Sequence, residues 1–248
     1  MAGFCGTQKI YIRHRLWPIN KMKLYIVATP IGNLEDISFR ALKILKEVDY
    51  ILCEDTLHSL KLLNYYQIQK PLISYHQYSQ LKRIKEIINL LKKGKNLALI
   101  SDAGTPGISD PGNELVKLIL KEIPETEIIP VPGPNAAIAL LSISGFRADK
   151  FLFLGFPPAK NKRRQFFEEI INSKYPVLFY ESPFRILKSL TQLAEIDNTL
   201  EVVVGKELTK LYEKIYRGNI LEVIKKMKND GIKGEYVVMV SKSREINR

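Results

Sequence analysis

The chain is poor in cysteine: Cys5 and Cys53 are the two in 248 residues. They lie far apart and match no metal-ligand spacing, which argues against a disulfide scaffold and fits a reducing, cytoplasmic compartment. No apolar run reaches the roughly eighteen residues a membrane-spanning helix needs, so no membrane partner is expected. Neither a G-x-x-x-x-G-K-[ST] nor a G-x-G-x-x-G pattern occurs, which leaves no loop built for a triphosphate or a nicotinamide dinucleotide. Repeats and low-complexity stretches are absent. Acidic residues are missing from 1–21, where Lys9, Arg13, Arg15 and Lys21 stand, and no apolar stretch there is long enough for a signal peptide. The expectation is that Met22 is the native start and that 1–22 is a disordered basic extension outside the fold.

What is present is enough apolar residue, 46%, to bury a proper core. The length suits one large domain or two small ones. A net charge of +12, from 38 Lys and Arg against 26 Asp and Glu, points to a polyanionic partner, since phosphate contacts dominate nucleic-acid affinity. A lysine-rich genome composition yields the same figure.

One stretch organises the rest: Ser101-Asp102-Ala103-Gly104-Thr105-Pro106-Gly107-Ile108-Ser109-Asp110-Pro111-Gly112. An apolar run over 96–100 reads as a buried strand before it. Helical spacing of Leu115, Leu118 and Ile119 follows it. Glycine admits close backbone approach and proline holds a loop open. In an open α/β sheet, the carboxyl end of a strand is where small ligands bind.

The pattern along the chain is regular. Strands are predicted over 24–28, 50–53, 72–74, 96–100 and 127–131, with helices over 38–48, 56–66, 81–92, 113–122 and 136–144 between and after them. Such alternation implies a mostly parallel sheet covered on both faces. Near Gly145 the register changes, and a second set follows: strands at 151–156, 176–180, 201–205 and 235–240, helices at 165–172, 184–195 and 219–228. The fold class is α/β in two domains, 23–147 and 148–242, each a mostly parallel or mixed sheet flanked by helices, with a tail over 243–248. Loops at 29–34, 101–112 and 132–135 open on one edge, and Glu181-Ser182-Pro183 faces them, making an interdomain cleft. Lys160, Lys162, Arg163 and Arg164 form the clearest basic cluster, beside Phe156, Phe166 and Phe167. Phosphate contact with base stacking suits RNA; a solvated loop over buried aromatics is the other reading.

Several segments carry a resemblance. They are Val27-Ala28-Thr29-Pro30-Ile31-Gly32-Asn33-Leu34-Glu35-Asp36, Glu54-Asp55-Thr56, the 101–112 loop, Val131-Pro132-Gly133-Pro134, Phe179-Tyr180-Glu181-Ser182-Pro183, Lys206-Glu207-Leu208-Thr209-Lys210 and Lys233-Gly234-Glu235. Together, in order over 23–242, they resemble the ribosomal RNA small-subunit methyltransferase I family of the tetrapyrrole-methylase superfamily. The resemblance implies S-adenosylmethionine-dependent 2′-O-methylation of a cytidine ribose in 16S rRNA, a 30S subunit or its RNA as partner, and a homodimer with the cofactor folded into the cleft. No metal is implied. Leu57 stands where an arginine commonly follows Glu-Asp-Thr, and Phe184 where a histidine often follows Ser-Pro. The chain ends short of an extension that many relatives carry, and the expectation is that any RNA grip from that tail is absent or supplied elsewhere. The rival readings are a methylase of tetrapyrrole intermediates and a non-catalytic RNA-binding protein of the same fold.

On this resemblance Pro30, Asp102, Ala103, Gly104, Thr105, Ile108, Pro132, Gly133, Tyr180 and Glu181 are the expected cofactor residues. Asp102 suits a sulfonium or an amino group; as a turn or helix cap it would serve structure alone. Removing the ribose proton needs a general base, for which Glu54, Asp55, Lys206 and Glu207 are the candidates. Lys206 and Glu207 can equally form an ordinary ion pair. His58 reads as a surface residue at a helix start.

Overall fold

The computed structural model describes residues 22–76 and 81–242, so the expected disordered extension over 1–22, apart from Met22, and the tail over 243–248 lie outside the described residues. Met22 itself belongs to the fold, its carbonyl accepting from Glu127 N at 2.9 Å and its side chain packing on the core. β1 (Lys23–Val27), β2 (Tyr50–Cys53), β3 (Leu72–Ser74), β4 (Leu97–Leu99) and β5 (Glu127–Val131) form a parallel sheet in the order β3-β2-β4-β1-β5. Successive side chains of a strand point to opposite faces, and the core divides accordingly. Tyr25 and Val27 pack with Ala41, Ile44 and Leu45 of α1 (Phe39–Glu47) and Leu63 of α2 (Thr56–Tyr65). Leu24, Leu97 and Leu99 pack with Ile84, Ile87 and Leu91 of α3 (Leu81–Lys92) and Leu115 and Ile119 of α4 (Asn113–Glu122). Both faces are therefore covered, which is why these strands read as continuous apolar runs. From β1 the chain moves toward β2 and β3; from β4 it moves the other way, to β5. The neighbouring ends of β1 and β4 are thus a topological switch point, where such sheets open a ligand crevice.

The second sheet runs β6-β7-β10-β8-β9, built from β6 (Leu152–Phe153), β7 (Val177–Glu181), β8 (Leu200–Lys206), β9 (Lys214–Asn219) and β10 (Tyr236–Lys242). β6 and β7 are parallel and the other pairings antiparallel, so the sheet is mixed. α6 (Arg163–Asn172), α7 (Ile186–Ile196) and α8 (Ile220–Asp230) cover one face through Phe167, Leu190, Leu193 and Val223 on Phe179, Val202 and Val238. The other face takes α5 (Ala136–Ser142), whose Ala137, Leu140 and Leu141 meet Leu178, Val203, Val237 and Met239. α5 follows β5 in sequence yet packs on the second sheet, so it forms the seam between the sheets.

Several elements differ from expectation: α5 ends two residues early, at Ser142, and α7 begins two residues late, at Ile186. β9 has no counterpart in the sequence reading: of Lys-Ile-Tyr-Arg-Gly-Asn it buries Tyr216 alone, as an edge strand with one dry position. β6 shrinks to Leu152–Phe153. α6 begins at Arg163, two residues earlier than its apolar spacing suggests.

Candidate cofactor cleft

The switch point is stitched by backbone. Thr29 N donates to Gly104 O at 2.8 Å and Gly104 N to Thr29 O at 3.1 Å, while Thr29 Oγ1 donates to Ser101 O at 3.0 Å. Gly104 holds φ at 80°, a left-handed conformation that favours glycine. Thr105 Oγ1 reaches Pro134 O at 3.1 Å, tying this loop to the one that opens α5. Asn135 caps α5 by accepting from Ile138 N.

Two cavities adjoin here. The first, about 360 Å³, lies between the sheets and is lined by Ala103, Gly104, Thr105, Ile108 and Asp110 on one side and Phe156, Tyr180, Glu181, Ser182 and Pro183 on the other. The second, about 530 Å³, is lined by Pro30, Gly32, His58, Lys61 and Asp102. Ile31, Ala103, Lys210 and Glu235 border both. Eight of the ten expected cofactor residues therefore border the cleft. Pro132 and Gly133 line neither cavity, being exposed beside it. A side chain at Gly133 would meet Ala28 Cβ at 3.0 Å, so this glycine serves close packing of backbone on β1.

A strap crosses from the second sheet. Asn33 N donates to Thr209 Oγ1 at 3.1 Å. Lys210 Nζ is held by Glu207 Oε1 at 3.0 Å and Glu235 Oε2 at 2.8 Å. Glu207 and Thr209 sit at φ of 51° and 67°, an uncommon conformation for residues with side chains.

The four candidate bases separate by geometry. Asp55 Oδ1 accepts from Leu57 N at 2.8 Å and His58 N at 3.1 Å, which makes it the N-cap of α2. Those amides, His58 first, hold its carboxyl below the usual range. Lys206 Nζ donates to Gly231 O, and Lys206 and Glu207 border a separate hollow away from both cavities. Burial pushes the Glu207 carboxyl up, but the Glu235 amide and Lys210 outweigh it, and the net direction is down. Glu54 is exposed and lines neither cavity, though it directly follows β2 beside Asp55, and among the described residues no hydrogen bond or ion pair engages its side chain. Burial first, then the charge of Asp102, raises its carboxyl above the ordinary value.

Asp110 is the residue the sequence reading missed. Burial, then the charge of Glu54, pushes its carboxyl up to about 6, against a hydrogen bond from Ser101. Asp102 faces the same region, and its Oδ1 accepts from Asp55 N at 3.3 Å, so it both braces a turn and borders the second cavity. The local signal was weak: Ser-Asp-Pro-Gly reads as a turn, and its neighbours come from other strands.

The basic cluster divides as well. Lys160, Lys162 and Arg164 are exposed beside a shallow groove, and Arg164 pairs with Glu168 at 2.8 Å. Arg163, expected with them on the surface, is 7% exposed and turned inward. Its guanidinium finds enough buried acceptors to leave water, which a loop of like charges does not suggest. Glu181 is buried too, its carboxylate directed into the second sheet's core rather than into the cleft. Among the described residues no group of three or more His, Cys, Asp or Glu is placed to hold a metal ion, and no helix is long and apolar enough to cross a membrane.

The family model of the tetrapyrrole (corrin/porphyrin) methylases matches residues 23–224. A Thermotoga maritima protein named ribosomal RNA small subunit methyltransferase I is 46% identical over 219 residues, 88% of this chain and 98% of the relative. Proteins of the same name are 45% identical in Hydrogenobaculum sp., over 91% of this chain and 98% of theirs, and 44% identical in Bacillus subtilis, over 89% and 75%. Among solved structures, cobalt precorrin-4 methyltransferase superposes with a TM-score of 0.67 at 18% identity, covering 92% of this chain and 97% of that one. Uroporphyrin-III-C-methyltransferase from Thermus thermophilus gives 0.59 at 17%, over 90% and 95%. These likenesses carry the fold, and the relatives carry the family: the chain belongs to the ribosomal RNA small subunit methyltransferase I family of tetrapyrrole methylases.

Proposed function

We propose that the chain methylates the 2′-oxygen of a cytidine ribose in 16S rRNA, with S-adenosylmethionine as donor and the 30S subunit or its RNA as acceptor. The observation that carries this reading is the 46% identity to the Thermotoga maritima relative over nearly its whole length. The first cavity fits the donor: apolar Ile108, Phe156 and Tyr180 for its adenosine, backbone at Gly104 and Thr105, and a carboxylate at Asp110. S-adenosylmethionine supplies an electrophilic methyl group on a sulfonium cation. A carboxylate about 4 Å from such a cation gains roughly 4 kcal/mol at an effective dielectric near 20.

The remaining work falls to the chain's own residues. Pro30, Ile31, Ala103 and Asp102, at the border with the second cavity, hold the ribose against the first. Holding two reactants in line is worth about 7 to 11 kcal/mol, more than a base supplies. Glu54 takes the proton from the 2′-hydroxyl. Lys160, Lys162 and Arg164 contact phosphates along the C-terminal sheet's rim. The active form is a cytoplasmic homodimer whose protomers each comprise the lobes 23–147 and 148–242, joined at α5.

Mass spectrometry of 16S rRNA from cells with and without the gene tests the reading. One 2′-O-methylated cytidine is expected to disappear with the gene. An unchanged rRNA would overturn the acceptor assignment.

A further inference from the structure

Arg163 and Glu181 look, in sequence, like an RNA contact and a cofactor contact. In the fold they belong to one buried network. Glu181 Oε1 accepts from Ser182 N at 2.8 Å and pairs with Arg185 Nε at 3.0 Å. Its Oε2 accepts from Ser189 Oγ at 2.5 Å and lies 3.6 Å from Arg163 Nη2. The Arg163 guanidinium spends its other donors on Ser189 Oγ at 2.7 Å, Pro158 O at 3.1 Å and Gln192 Oε1 at 3.1 Å. It also lies over the Phe167 ring at 5.1 Å. Glu181 is 1% exposed, so its carboxylate cannot reach a ligand without breaking bonds that compensate its burial.

These partners are the roots of one cavity wall. Pro158 ends the segment that carries Phe156; Ser182 and Pro183 continue the strand that carries Tyr180; and Phe156 stands 5.3 Å from the Tyr180 ring. We propose that Arg163 and Glu181 are positioning residues whose side chains fix this wall of the first cavity and touch neither the donor nor the RNA. The inference rests on the reading of that cavity as the donor site. A planar guanidinium with its donors directed at three elements does what a lysine cannot, since lysine offers one point charge.

The test uses the full chain in the variants Arg163→Lys, Glu181→Gln and the milder Ser189→Ala, which removes only the hydroxyl between the pair. S-adenosylmethionine binding is measured by calorimetry, 30S binding by cosedimentation, and turnover at saturating donor. Expected are a donor Kd raised about tenfold or more in the first two and less in Ser189→Ala. Affinity for 30S should be unchanged, and kcat within about twofold at saturation. General loss of folding would lower all three quantities, so Ser189→Ala, the least disruptive change, decides that case by its donor Kd against its 30S affinity. An unchanged donor Kd in a folded variant would overturn the proposal, as would weakened 30S binding with Arg163→Lys alone. In the unmodified chain, donor binding without any methyl placed in rRNA would overturn the acceptor assignment and leave the wall's role to be read from the variants' donor Kd.

Discussion

Asp110 shows how one residue's burial sets both a cost and a use. Its carboxyl is raised from 3.8 to about 6 in the folded chain, so the native state binds the proton more tightly than the unfolded one. The stabilisation is complete below about pH 3.8 and is lost as pH rises through 6. Above that, ionised Asp110 costs on the order of 1 kcal/mol once its partial exposure is allowed for. Asp110→Asn removes that charge, and thermal melts at pH 7.5 are expected to rise by roughly 2–4 °C. The same variant should bind S-adenosylmethionine more weakly. Donor affinity in the unmodified chain should rise up to about tenfold from pH 5 to pH 7, because the cation favours ionised Asp110, and this slope should vanish in Asp110→Asn. A flat profile in the unmodified chain would remove Asp110 from the donor site.

At the scale of elements, the loops that open α2 and the strap decide which acidic residues are free. Asp55 as the N-cap predicts that Asp55→Ala costs about 1 kcal/mol in denaturant titration and leaves kcat nearly intact. A kcat loss of roughly 10² to 10⁴ would make it the base instead. Gly32 predicts a different failure. A methyl there would collide with Lys210 Cγ and meet Thr209 Oγ1 at 2.9 Å and the Leu208 carbonyl at 3.1 Å. Gly32→Ala is expected to cost about 1–3 kcal/mol and to raise the donor KM as the strap lifts from the loop that follows β1. Much of this was legible beforehand, and for a physical reason. β1, β2, β4 and β5 are covered on both faces, so each is an apolar run bounded by glycine, proline or charge. The 101–112 loop was legible because its composition serves no ordinary turn. β9 was not, because an edge strand with one buried position leaves no periodic trace. Arg163 was not, because a charged residue reads as solvated unless its acceptors are known, and Ser189 lies 26 positions on. Asp110 was hidden for the same reason: Glu54 and Tyr180 reach it only through the topology of two sheets.

For the whole molecule, the +12 net charge is a statement about association rather than about fold. Surface pairs such as Arg164 with Glu168, exposed on both sides, contribute little to stability and leave their charge available to a polyanion. RNA contacts release counterions, and each phosphate neutralised on a single strand adds about 0.7 to the slope of log affinity against log salt. Lys160 and Lys162 are exposed beside a shallow groove and follow in sequence soon after Phe156, which lines the first cavity, so the proposed function has RNA pass them on its way to the cleft. The double variant Lys160→Glu, Lys162→Glu is therefore expected to lower that slope by roughly 1 to 2 and to weaken 30S binding. Its donor Kd should stay unchanged, because neither lysine belongs to the buried network behind the wall. Cosedimentation across a series of potassium concentrations reads the slope directly. An unaltered slope would shift the RNA path to another basic face, of which Lys82 and Lys85 of α3 with Lys93 just past its end are the next candidate.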